Sequence, residues 1–225
     1  MPFSRRSVSI RLYRDDVRQL VDALPYFPET RDVWVRIQPD LLPSQTQAHT
    51  PYASTTIPLW VWQGLRELPH MDWLGFQGGT FDAEAMAMIG SYPSLRTLNL
   101  GHCRVTPESF AELASAKSLE AFAVESGLGP DCFITLAKLP RFKEFTLLSC
   151  TSDFNLPIDD ETRRAIESLD GRLTRFRASE IATVVHLSFV RALLQLKSLE
   201  FIDIDTVRPR ATPADIEQLK SLPAL

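Results

Sequence analysis

The stretch LRTLNLGHC, residues 95–103, places apolar side chains at Leu95, Leu98 and Leu100 with polar ones between them. Its alternating part is the signature of a short, half-buried strand. The same spacing, L-x-x-L-x-L, recurs along the chain. MDWLGF supplies Met71, Leu74 and Phe76, and LEAFAV supplies Leu119, Phe122 and Val124. FKEFTL gives Phe142, Phe145 and Leu147; LTRFRA gives Leu173, Phe176 and Ala178; LEFIDI gives Leu199, Ile202 and Ile204. Two weaker copies come first. DVWVRI supplies Val35 and Ile37, and SVSIRL supplies Ile10 and Leu12, with Asp32 and Ser7 in the first slot. The middle apolar position then falls at 10, 35, 74, 98, 122, 145, 176 and 202, with central steps of 24, 24 and 23. Longer steps mark insertions near residues 38–57 and 148–160.

Helical segments separate the copies. VRQLVDAL puts Val17, Leu20, Val21 and Leu24 on one stripe. TPESFAELA and TPADIEQLK each open with a threonine at the N-cap position, Thr106 and Thr212, and a proline at the first helical turn, Pro107 and Pro213. FDAEAMAMIG, DCFITLAKL, DETRRAIESL and LSFVRALLQL are predicted to be the corresponding helices. A strand–turn–helix–turn unit of this length cannot bury its own apolar face, and stacking such units buries a continuous core.

These motifs resemble those of leucine-rich-repeat proteins, of the helix-bearing kind with repeats near 24 residues, similar to the ribonuclease-inhibitor-like and cysteine-containing subtypes. The resemblance covers essentially the whole chain. It implies an α/β fold, a single horseshoe-shaped solenoid of about eight repeats over residues 1–225, with a curved parallel sheet on the concave face and helices on the convex face. The family's ninth position, which supports the turn after the strand, here reads Asp15, Asp40, Gly79, Cys103, Gly127, Cys150, Ile181 and Val207. Strands about 4.8 Å apart would line an arc on the order of 35 Å. Such a surface suits a folded protein or a long peptide and is ill-suited to enclosing a small substrate.

Composition points the same way. The chain has 225 residues, is 44% hydrophobic and 23% charged, and carries a net charge of −4 at pI 5.6. That balance argues against nucleic acid as a partner, because phosphate binding draws on clustered Lys and Arg. Three cysteines make no disulfide framework and imply a reducing compartment. The start lacks the apolar core of a secretory signal, and no run is long enough for a membrane span. His49, His70, His102 and His186 fall in unrelated places, and no metal-binding, nucleotide-binding or nucleophile motif occurs. No cofactor, metal or catalytic residue is therefore expected. Gly78 and Gly79 are read as a tight turn, Cys103 and Cys150 as buried thiols supporting turns, and Cys132 as passive. Asp159–Glu161 is read as a helix N-terminus.

Function is then expected in the residues between the apolar strand positions. The candidate partner-binding set is Arg11, Tyr13, Trp34, Arg36, Trp73, Gln77 and Asn99, since Trp and Arg most often anchor protein interfaces. The middle of the face is small and bland, and the far end turns acidic at Glu200, Asp203 and Asp205. A one-residue slip of its strand would send Trp34 into the core. Of Trp60 and Trp62, on the helix of IPLWVWQGL, at least one belongs to the core. The polar, aperiodic loop from Gln38 to Thr56 is positioned to lid the tryptophan-rich end.

The expected function is a cytoplasmic protein-binding scaffold: a bacterial effector's recognition arm acting in a host cytosol, an adaptor, or a toxin-immunity protein. The alternative is the specificity domain of a longer enzyme such as a ubiquitin ligase. High Arg, Ala and Pro usage suggests a GC-rich bacterial source. The closing LPAL stands at a repeat boundary, so further repeats or self-association are expected at the C-terminal edge.

Overall fold

Period-two apolar patterning buries one face of each strand, and that face needs a cover. The structure, a computed structural model, describes residues 6–12, 29–37, 59–101, 103–125, 128–148, 153–178, 184–204, 206–208, 212–214 and 217. The long strands are β1 (Arg6–Leu12), β2 (Thr30–Ile37), β3 (Trp73–Gln77), β5 (Thr97–Gly101), β7 (Ala121–Val124), β8 (Glu144–Leu147), β9 (Arg175–Ala178) and β11 (Phe201–Ile204). They form one eight-stranded sheet in chain order, and every pairing is parallel. Two short parallel ladders lie outside it, β4 (Thr80–Phe81) with β6 (Arg104–Val105) and β10 (Val184–His186) with β12 (Thr206–Arg208).

Helices fill the crossovers: α1 (Leu59–Arg66), α2 (Ala83–Gly90), α3 (Pro107–Ala111), α4 (Cys132–Leu136), α5 (Asp160–Glu167) and α6 (Leu187–Leu193). The result is an open, solenoid-like α/β stack. The helix expected over residues 17–24 lies outside the described residues, as do Cys150, Asp205, the loop 38–56 and the closing LPAL. Of the final helix, Pro213, Ala214 and Glu217 are described as helical. Among the described residues no helix is long and apolar enough to cross a membrane.

Register carries the repeat into the core. Leu74, Leu98, Phe122, Phe145, Phe176 and Ile202 stand side by side across six strands, all buried. The first two copies depart from the sequence alignment. Val33, not Val35, pairs with Leu74, and Val8, not Ile10, pairs with Val33. The sequence alignment would have put Asp32 in the core slot. The observed register puts Thr30 there, 1% exposed, its Oγ1 without a partner among the described residues. An unpaired hydroxyl costs far less to bury than a carboxylate. Because the shift is an even number, the alternating residues Val33, Trp34 and Val35 keep their faces.

The aromatic rows interlock with the helices. Trp62 of α1 is 2% exposed and packs on Phe76 and Phe81 at ring-centroid distances of 5.1 and 5.6 Å. Its carbonyl accepts the Tyr92 hydroxyl at 3.0 Å. In the second insertion a short 3₁₀ turn, Asp153–Asn155, drives Phe154 fully into the core against Phe189, while Leu156 stays exposed.

Local polar chemistry fixes turns and helix ends. Gly78 and Gly79 have φ of 90° and 104°, a turn that needs glycine. Beneath it the Cys103 thiol lies 3.1 Å from the Gly101 carbonyl and 3.4 Å from that of Gly78. Burial pushes this thiol well above its ordinary range, so it stays a donor. Thr106 and Ser109 form a reciprocal capping box on α3. The Arg172 guanidinium donates to the carbonyls of Leu139, Ala137 and Ser168, tying the residues that follow α4 to the end of α5.

Asp159 caps α5. Its carboxylate accepts the Thr162 N–H at 2.7 Å, and this bond holds its pKa below the usual carboxylate range. A depressed folded-state pKa adds stability above the unfolded value, and that stability is lost as pH falls through the folded one. Asp159→Ala is therefore expected to lower the Tm at pH 7 and to leave it unchanged at a pH below both values. Thermal melts at the two pH values check this; an equal loss at both would reject it.

At the N-terminal ends of the strands, the second residue of each copy forms a row: Arg31, Asp72, Arg96, Glu120, Lys143. Each backbone carbonyl accepts from the next member or its neighbour, as in Arg96 N–H to Asp72 O at 2.8 Å and Glu120 N–H to Arg96 O at 2.8 Å. The charges alternate in sign, with ion pairs Arg31–Asp72 at 3.8 Å, Arg96–Glu120 at 3.9 Å and Lys143–Glu120 at 3.1 Å. Opposite charges across neighbouring strands favour this pairing.

Candidate functional site

The strand residues that point away from the core are the half-exposed members of each alternation, so the sheet presents one side-chain-bearing face without burying it. At its N-terminal end Trp34 lies opposite Gly75, and Asp32 lies opposite Trp73. The sequence alignment had set the two tryptophans directly side by side. The shifted register makes them diagonal neighbours, and their indoles stack at 5.4 Å with 19° between the planes. Both remain partly exposed. Trp34 is not slipped into the core.

Gly75 is what the stack rests on. A Cβ built there would collide with both indoles. The pair therefore covers a gap in the side-chain row, and Gly75 is buried beneath it. Nothing in a single sequence marks this glycine as special, except that it stands between two apolar strand positions beside Trp73.

The other candidates fall on the adjacent strands. Arg11 pairs with Arg36 and Arg36 with Gln77, which places the three in one row; the side chains of Arg11 and Arg36, and all of Tyr13, lie outside the described residues. Asn99 is opposite Gly75, in the row that holds Trp34. Its Oδ1 is buried with no partner among the described residues. Beyond it Ala121 and Ala123 keep the floor low.

The far end differs from the acidic patch read from sequence. Arg175 is opposite Phe201 and Arg177 opposite Asp203. Both guanidinium groups lie over the Phe201 ring, at 5.2 and 5.5 Å from its centre, and Arg177 pairs with Asp203 at 3.5 Å. The face thus carries two aromatic clusters, Trp34–Trp73 and Arg175–Phe201–Arg177, with Thr97, Asn99, Ala121, Ala123, Glu144 and Thr146 between them. Sequence reading missed the second because each member looks ordinary until register joins them. The arrangement offers large rigid contact surfaces with polar edges, suited to binding. Among the described residues no three His, Cys, Asp or Glu side chains gather as metal ligands would.

No family model matches this chain, and no curated protein does. Among solved structures it is similar to TLR13 in the TLR13–ssRNA13 complex, at 16% identity and a TM-score of 0.46, over 89% of this chain and 29% of that one. It is also similar to an internalin (inlF) of Listeria monocytogenes, at 12% identity and a TM-score of 0.39, over 90% of this chain and 68% of that one. The chain thus spans less than a third of the TLR13 chain.

Proposed function

We propose that this protein is a leucine-rich-repeat scaffold that binds another protein through the open face of its sheet. In this reading the stack curves into a horseshoe over residues 1–225, the open face is concave, and the partner is anchored at the N-terminal end. The observation that carries the reading is the stacked, partly exposed indole pair over Gly75. Large aromatic side chains held rigidly at a surface lose little conformational entropy on contact, and tryptophan is among the residues most enriched at interface anchors. Arg11, Tyr13, Arg36, Gln77 and Asn99 complete the contact. The source is bacterial and the site of action a cytosol.

The test starts with affinity capture by the purified chain and identification of bound proteins. A partner that engages this face is expected to lose about 2 kcal/mol of affinity with Trp73→Ala, while the variant keeps the wild-type Tm within a few degrees. A partner bound equally by both chains places recognition elsewhere and overturns the assignment.

A further inference from the structure

We propose a second binding site, for a multiply charged oxyanion, on the rim at the N-terminal ends of the strands, apart from the tryptophan face. A cleft of about 360 Å³ opens there, lined by Arg31, His70, Asp72, Arg96 and Arg141. Three guanidinium groups and an imidazole face a single lining carboxylate. Charge is therefore unbalanced within the cleft, although the rim as a whole alternates.

The existing ion pairs leave this cationic excess available. Arg31–Asp72 and Arg96–Glu120 are long, at 3.8 and 3.9 Å, and their arginines are 57% and 62% exposed. Glu120 lies closer to Lys143, at 3.1 Å, so Arg96 holds the weaker claim on that carboxylate. Arg141 is exposed, and no carboxylate pairs with it among the described residues. The two serines of the cleft have spent their protons: Ser94 Oγ donates to the Pro69 carbonyl at 2.9 Å and Ser118 Oγ to that of Tyr92 at 3.4 Å. The side-chain N–H donors of the cleft are those of the arginines and the histidine. Planar guanidinium groups favour phosphate and carboxylate oxygens, which they grip two at a time. The three arginines belong to every second copy of the row, about 10 Å apart at the backbone, and reach the cleft through long side chains. A ligand with more than one charged group, of which pyrophosphate is the smallest probe, meets more of them at once than a single phosphate does.

Isothermal titration of the full chain with pyrophosphate at low ionic strength tests the site. Saturable binding is expected, tighter than for inorganic phosphate and weakening as salt is added. Arg141→Ala is expected to weaken it about tenfold or more. Arg104→Ala, on β6 at the opposite ends of the strands, is expected to leave it unchanged. Both arginines are exposed, so neither change threatens the fold. The site is refuted by an absence of saturable binding, or by equal weakening in the two variants, which would mark diffuse attraction to surface charge.

Discussion

Phe145→Ala is expected to lower the unfolding free energy by about 4 kcal/mol, read from urea unfolding followed by far-ultraviolet circular dichroism. Phe145 is fully buried and stands at a crossing of elements. Its ring meets Phe122 of β7 at 5.9 Å, Phe176 of β9 at 6.0 Å, Phe133 of α4 at 5.1 Å and Phe154 of the 3₁₀ turn at 6.3 Å. Truncation removes the transfer free energy of a phenyl group. It also leaves a cavity whose walls are other large rings, held by their own strands and unable to collapse inward. If the alanine variant does not fold, Phe145→Leu should fold with a loss of about 1 kcal/mol. A loss below about 1 kcal/mol for alanine would mean that the aromatic column does not join the repeats as its geometry implies.

Gly75→Ala should act on the tryptophan pair more than on the fold. The added methyl group occupies space now filled by both indole rings. The rings are partly exposed and able to swing outward, so overpacking is relieved at the surface and not in the core. Stability should change by less than about 1 kcal/mol, since relief at a surface avoids the usual overpacking cost. The stack should open, with loss of the near-ultraviolet dichroism of coupled indoles and a red-shifted emission. Partner affinity should fall by about 2 kcal/mol, as for loss of an anchor residue. Dichroism and affinity both unchanged in Gly75→Ala would show that the stack does not depend on the empty position beneath it.

Much of the stack was legible because its signals are local. Alternation located β3, β5, β7, β8, β9 and β11, and the Thr-Pro pair located the start of α3 with its cap. The register of β1 and β2 was not legible, since the alternation around Val33 and Val35 fits either alignment. Only the cost of burying Asp32 distinguishes the two. The face assignment of Trp34 survived because the error was an even number of residues. Its diagonal stacking on Trp73 was not legible, because a diagonal neighbour is visible only once strands are paired. The same limit hid the Arg175–Phe201–Arg177 cluster and the alternating rim, whose members lie tens of residues apart in sequence. Phe154 was invisible for another reason: no periodicity within an insertion announces that one of its residues will return to the core.

The alternating rim also bears on how such a chain can change its length. Asp72, Arg96 and Glu120 belong to consecutive copies, and each faces an opposite charge on both sides. Excising the one copy that carries Arg96 would set Asp72 beside Glu120, and duplicating it would set Arg96 beside another arginine; like charges on neighbouring strands destabilise the pairing. Removing or inserting two copies together preserves the alternation. In this part of the molecule the smallest interchangeable module is therefore a pair of repeats, and deletion or insertion of a single unit carries an electrostatic conflict that a paired change avoids.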